Sequence, residues 1–264
     1  MISTLESQVE QFDQDGFLVV PDALAPEQIT RLLSGVRRAF DQEPDEETQA
    51  NYGALTRIWR AKMFEQGSAF EELIDNPRLI DLVEAILGAD CHLIAMSALR
   101  TPPGGAIDTW HVDEAVRFPL PPGVPLDPRI ALPCFVVNLN YYLCDVDEEL
   151  GPTQFVPGSH RAGRQPGPND WDSSGNPVYK GQGVVSATGK AGTAVLWNDQ
   201  TWHRGGPNTS EGRLRWVQQA PYGRRFIAQR FFPFINYHLP EVILERANPR
   251  RRRLLGIHPA GAYG

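Results

Sequence analysis

The stretch "CFVVNLNYYL", residues 134–143, alternates Val137, Leu139 and Tyr141 with Asn138, Asn140 and Tyr142. A period of two is the signature of a β-strand, whose successive side chains point to opposite faces. Four more short runs surround it: "CHLIAMSAL" (91–99), "TQFVPG" (153–158), "TAVLWN" (193–198) and "LRWVQQAPY" (214–222). They are β-prone and punctuated by Gly, Pro, Asp and Asn turns. Upstream the pattern changes. "PEQITRLLSGVRRAF" (26–40) places Ile29, Leu32, Leu33, Val36 and Phe40 at helical spacing behind a Pro suited to a first turn. "NPRLIDLVEAILG" (76–88) predicts a second helix capped by Asn76 and stopped by Gly88, and "DGFLVVPDAL" (15–24) a short strand over 17–20. Helices followed by many short strands predict a mainly β fold with flanking helices: an antiparallel sandwich or jelly roll. We expect one domain over 1–264, with helical support over about 1–90, a β core over about 91–235 and a C-terminal segment over 236–264.

With 264 residues, 41% hydrophobic and 22% charged, the chain has the make-up of an ordinary soluble globular protein. A net charge of −7 disfavours nucleic acid as the main partner, since phosphate binding needs concentrated positive charge. A membrane span is not expected, because no window approaches roughly eighteen apolar residues. The first residues have neither the basic nor the apolar region of a secretory signal. Cys91, Cys134 and Cys144 are too few and too scattered for a disulfide scaffold, which suits a cytoplasmic protein. In "NPRRRRLLG" (248–256) the arginines read as a solvated helix end rather than a phosphate patch. Oligomeric state is not legible.

"DTWHVDEAVRF" (108–118) carries His111 and Asp113 one residue apart, hence on one face of a strand. "AGTAVLWNDQTWHRGGPNTSEGRLRW" (191–216) supplies His203 after a strand and a turn. Two histidines and one carboxylate make a facial set that suits non-haem Fe(II) and leaves positions open. Zinc uses the same donors, so the spacing alone does not separate the metals. An iron enzyme that uses 2-oxoglutarate also needs a cation for the distal carboxylate, and arginine matches it with a planar fork. Arg213 and Arg215 follow His203 by ten and twelve residues. If both lie on a strand they share a face.

The ordered set "WHVDE" (110–114), "GPTQFVPGSH" (151–160), "AGTAVLWNDQTWHRGGPNTS" (191–210) and "RLRW" (213–216) resembles the phytanoyl-CoA dioxygenase family of Fe(II)/2-oxoglutarate oxygenases. The resemblance runs from about residue 11 to about 222. It implies a double-stranded β-helix, the jelly-roll core of cupin-like oxygenases, with His111, Asp113 and His203 as iron ligands. It also implies Fe(II), 2-oxoglutarate and O2 as cofactor and co-substrates, with Arg215 preferred over Arg213 as the 2-oxoglutarate anchor. The expected activity is hydroxylation or another oxidation of an unactivated C–H of a small metabolite, releasing succinate and CO2. Halogenation is not expected, because Asp113 is intact where halogenases carry a small residue. Asn138, Asn140 and Thr153 are candidates to contact 2-oxoglutarate or substrate, and Tyr142, on the strand face of the two asparagines, is a candidate substrate contact. The long stretch 114–133 is the candidate lid, with Arg117 and Phe118 as candidate substrate contacts; 161–190 is a second long loop. Trp110 and Trp202 are expected in the outer layer. Two alternatives use the same residues: a non-catalytic cupin-like binding protein, and a zinc or manganese hydrolase or isomerase. The first predicts a damaged triad; the second has no use for the arginine.

Overall fold

Strand alternation sorts the apolar side chains of the β region into three layers. The computed structural model of the protein describes residues 4–113, 119–120, 124, 127, 129–130 and 132–258. Its strands are β1 (Phe17–Val20), β2 (Trp59–Arg60), β3 (His92–Leu93), β4 (Ser97–Thr101), β5 (Ile107–His111) and β6 (Val136–Tyr142). They continue as β7 (Thr153–Phe155), β8 (Val185–Ala187), β9 (Ala194–Asn198), β10 (His203–Gly205), β11 (Arg215–Gln219) and β12 (Tyr222–Gly223). The larger sheet runs β1-β9-β6-β11-β4-β2, with β12 on β6 and β3 on β12; the smaller runs β5-β10-β7-β8. All the pairings between these strands are antiparallel. The two sheets face each other as the predicted double-stranded β-helix. "CHLIAMSAL", read as one strand, is divided into β3 and β4, and β1 has the predicted bounds.

On β6, Val137, Leu139 and Tyr141 face the helices, whereas Tyr142 joins Phe155, Val195, Trp197 and Val217 between the sheets. Outside the smaller sheet, Trp110, Val112, Val156, Ala162 and Trp202 form a third cluster, in the outer layer expected for the two tryptophans. The helices are α1 (Leu5–Asp15), α2 (Pro26–Asp41), α3 (Glu46–Tyr52), α4 (Ser68–Glu71), α5 (Ile80–Leu87), α6 (Glu241–Arg246) and α7 (Pro249–Leu254). Pro26 opens α2 as predicted, and Leu32, Val36 and Phe40 pack on the larger sheet. The helical residues of α5 begin at Ile80, later than predicted, yet Asn76 still caps the entry turn: its Oδ1 accepts from Arg78 N–H at 3.0 Å and its backbone O from Ile80 N–H at 2.9 Å. Its Nδ2 is free to donate to Ala23 O at 3.1 Å, which ties the turn to the chain before α2.

The stretch 161–190 is not a plain loop. Arg164 and Asp170 form an ion pair, the Trp202 indole donates to Arg164 O at 2.7 Å, and the segment covers the outer tryptophan cluster. Of 114–133, most lies outside the described residues, Arg117 and Phe118 included.

The arginine-rich α7 is not solvated as the sequence suggested. Arg250 bonds both oxygens of Glu84, at 3.0 and 2.7 Å; Arg253 also reaches Glu84, and Arg251 pairs with Asp75. Glu84 thus fixes the C-terminal segment to α5. Glu84→Gln is expected to lower stability by about 1–2 kcal/mol, as removal of charged hydrogen bonds does in a partly exposed setting. The check is a lower urea midpoint at unchanged slope.

Candidate metal centre

His111 closes β5 and His203 opens β10, and the register places them directly opposite each other, ring centroids 4.3 Å apart. Asp113, two residues past His111, returns to the same face. Its Oδ1 lies 3.7 Å from His111 Nε2 and its Oδ2 3.3 Å from His203 Nε2. One ligand atom from each of the three falls within 4.8 Å of the others, the one such cluster of three or more His, Cys, Asp or Glu among the described residues.

Both imidazoles are oriented the same way. His111 Nδ1 contacts Thr109 O at 2.7 Å and His203 Nδ1 contacts Thr201 O at 2.8 Å. A carbonyl only accepts, so each Nδ1 carries a proton and Nε2 is the nitrogen that faces the centre and would ligate a metal, as in metal-binding histidines. The turn carrying Thr201 is itself anchored: Thr201 Oγ1 and Asn198 N–H both donate to Gly16 O. Gly16 sits in the left-handed region (φ +80°), and a Cβ there would stand 2.3 Å from His160 Nδ1, so only glycine fits. His160 accordingly packs on α1, through Asp13 O, and takes no part in the centre.

Asp113 is held from the opposite sheet. Asn138 Nδ2 on β6 donates to its Oδ2 at 2.7 Å and the Trp197 indole on β9 donates at 2.9 Å. From the smaller sheet's side, Val112 N–H, between the two ligands, donates to Gln165 Oε1 at 3.1 Å. Burial opposes the charge on Asp113, yet the attraction of His203 and the bonds to both histidines outweigh it and hold the carboxyl far below its usual range. In return, the bond to Asp113 raises the His111 imidazole. Trp197 and Gln165 escape sequence reasoning. Strand alternation groups Trp197 with Val195, but nothing local says which face is inside.

Arg215 and Arg213 part company. Arg213 precedes β11 rather than lying on it, so the expected shared face does not arise; it is exposed and paired with Asp147 and Glu149. Arg215 is 3% exposed and faces inward, and burial pulls its guanidinium below its ordinary range. Its Nη2 donates to Thr101 Oγ1 at 3.1 Å, while Nε and Nη1 are buried without a partner. A buried guanidinium with unmet donors is costly unless an anion completes it. Gly205, two residues past His203, lies beside this guanidinium: a Cβ there would stand 3.5 Å from Arg215 Nη2, in ordinary contact. Tyr142 is fully buried and donates to Ala187 O at 2.7 Å; burial raises its phenol, which the nearby Arg215 charge opposes. Thr153 is buried on β7 opposite Gly205. Asn140 lies with Asn138 and Asp113 in a polar cleft, its Oδ1 accepting from Gln219 Nε2 at 3.2 Å.

A double-stranded β-helix carrying two histidines and one carboxylate at its inner face defines the class of non-haem iron, 2-oxoglutarate-dependent oxygenases. The chain belongs to the phytanoyl-CoA dioxygenase family (PhyH), whose model matches residues 12–216. It is 25% identical to Dioxygenase trt7 of Aspergillus terreus over 94% of this chain and 82% of that protein. It is 27% identical to L-proline trans-4-hydroxylase of Streptomyces griseoviridis over 81% of this chain and 84% of that protein. Among solved structures, HygX of Streptomyces hygroscopicus with nickel and 2-oxoglutarate bound has the same fold: TM-score 0.63, 18% identity, 84% of this chain and 88% of that one. No helix among the described residues is long and apolar enough to cross a membrane.

Proposed function

We propose that His111, Asp113 and His203 bind Fe(II), that Arg215 holds the distal carboxylate of 2-oxoglutarate, and that the enzyme oxidises a C–H of a small metabolite. The observation that carries the reading is the pair of unpartnered buried nitrogens on Arg215, which lies on β11 of the sheet facing the three-ligand cluster and shares the inward strand face of Val217. A zinc or manganese hydrolase has no use for such a cation, and a passive binding protein has no need of both. Hydroxylation is the favoured outcome, because the carboxylate ligand is intact and the related L-proline trans-4-hydroxylase is named for that reaction.

Bound Fe(II) with 2-oxoglutarate supplies the O2 chemistry that releases succinate and CO2 and oxidises the substrate. The chain's own residues set the conditions for it. Thr109 and Thr201 carbonyls fix the imidazole tautomers. Asn138 and Trp197 both donate to Oδ2 of Asp113, which fixes the carboxylate beside the two imidazoles. Phe155, Trp197 and Val217 line the interior with apolar surface that limits water.

The test is anaerobic titration of metal-free protein with Fe(II), with and without 2-oxoglutarate, following the weak visible charge-transfer band of such chelates. We expect the band only with both present; iron bound without a band at saturating 2-oxoglutarate overturns the co-substrate assignment. Asn138→Ala and Trp197→Phe are each expected to weaken Fe(II) binding by about 10–100-fold, the usual effect of removing a ligand's hydrogen-bond partner.

A further inference from the structure

Beside Asp113 a polar cleft, open to solvent, is lined by Asn138 and Asn140. The amide orientations there are settled by their partners. Asn138 gives its N–H to Asp113, so its carbonyl oxygen is left as an acceptor. Asn140 accepts from Gln219, which in turn accepts from Ser97 Oγ at 3.0 Å, so the Asn140 N–H2 is left as a donor. This lining therefore offers one acceptor and one donor, two residues apart on β6, to whatever lies beside the metal position.

A second chamber adjoins this cleft: Trp59, Ser97 and Arg230 line both, and Tyr52, Met96 and Tyr237 line the second. Its character differs, for its lining is largely apolar and aromatic. Trp59, on the edge strand β2, belongs to both spaces, and its ring is braced by Tyr52 of α3 at 4.7 Å. Lys62 at the chamber wall is paired with Asp45 and laid over the Tyr237 ring, so it is not a spare cation for a phosphate.

On the reading that the metal and 2-oxoglutarate occupy the centre described above, we propose that Trp59 divides a two-part substrate site. The substrate it fits is an amphiphile. An amide- or hydroxyl-bearing end meets Asn138 and Asn140 beside the metal, and an apolar chain or ring lies in the chamber behind Trp59.

Proton NMR relaxation tests this on the full chain loaded with Mn(II), a paramagnetic substitute, and 2-oxoglutarate. The probes are phenylbutyramide, which has an amide head and an aromatic tail, and propionamide, which has the head alone. We expect the methylene beside the phenylbutyramide carbonyl to relax fastest and the ring protons slowest. Trp59→Ala, which removes the dividing wall, and Ala95→Trp, which fills the outer chamber, should each weaken phenylbutyramide by about tenfold or more, the scale of losing one ring's apolar burial. Propionamide should be unchanged in both variants. Ring protons relaxing as fast as the methylene, or both variants binding phenylbutyramide normally, overturns the two-part site while the metal reading stands. Failure of Mn(II) to bind overturns both.

Discussion

Asp113→Ala is expected to abolish the Fe(II)/2-oxoglutarate charge-transfer band and to reduce Fe(II) affinity by more than the roughly 10–100-fold that loss of an outer partner costs. Two effects combine. The cluster loses its only carboxylate, and with it the negative charge that offsets a divalent ion. Asn138 and the Trp197 indole lose their common acceptor, so two donors face a gap. Asp113→Asn separates these effects from mere loss of volume. The amide has the right shape, but its oxygen must turn to the two donors, which points its N–H2 at the metal position. It should therefore fail almost as completely as alanine. Retention of iron binding by Asp113→Asn, with an intact fold by circular dichroism, would remove Asp113 from the ligand set.

Arg215→Leu should raise the dissociation constant of 2-oxoglutarate by a factor on the order of 30 to several thousand, the 2–5 kcal/mol lost when one partner of a buried ion pair is removed. The opposite sign is expected for stability. Without its anion the guanidinium is buried with Nε and Nη1 unpaired, a cost that leucine lacks. The metal-free variant should thus melt at or above the wild-type temperature, yet gain no thermal shift from 2-oxoglutarate. Arg213→Leu is the matched control. Its charge pairs with Asp147 and Glu149 at the surface, so we expect a stability change of at most about 1 kcal/mol and unchanged 2-oxoglutarate binding. Wild-type affinity in Arg215→Leu, measured calorimetrically, would refute the anchor.

These residues differ in how far the sequence discloses them. Alternation along 134–143 divided the two faces of β6 as observed, because successive strand side chains point to opposite faces even where both are buried. His111 and Asp113 were legible as a pair for the same reason, and the ordered motifs pointed to His203. The choice between the two arginines turned on where β11 begins, and strand starts carry little local signal. Nor could spacing show that Trp197, 84 positions away, hydrogen-bonds Asp113, since that contact exists only once the two sheets close. The α7 arginines were misread for a related reason. Their acidic partners on α5 lie more than 160 positions away, and a charge run read alone looks solvated.

Two of the three ligands sit on or next to β5, an edge strand that among the described residues pairs only with β10. A shift of this strand by one residue would turn Trp110 into the interior and His111 out to solvent. What resists the shift is the tryptophan cluster on the far side of the sheet, together with Gln165 gripping the backbone at Val112. Inheritance then acts on the centre through residues that never approach it. A conservative change among Trp110, Val156 or Trp202 can leave the protein folded and abundant yet blind to its metal. Lineages that drift in this outer layer would lose catalysis first and the fold much later.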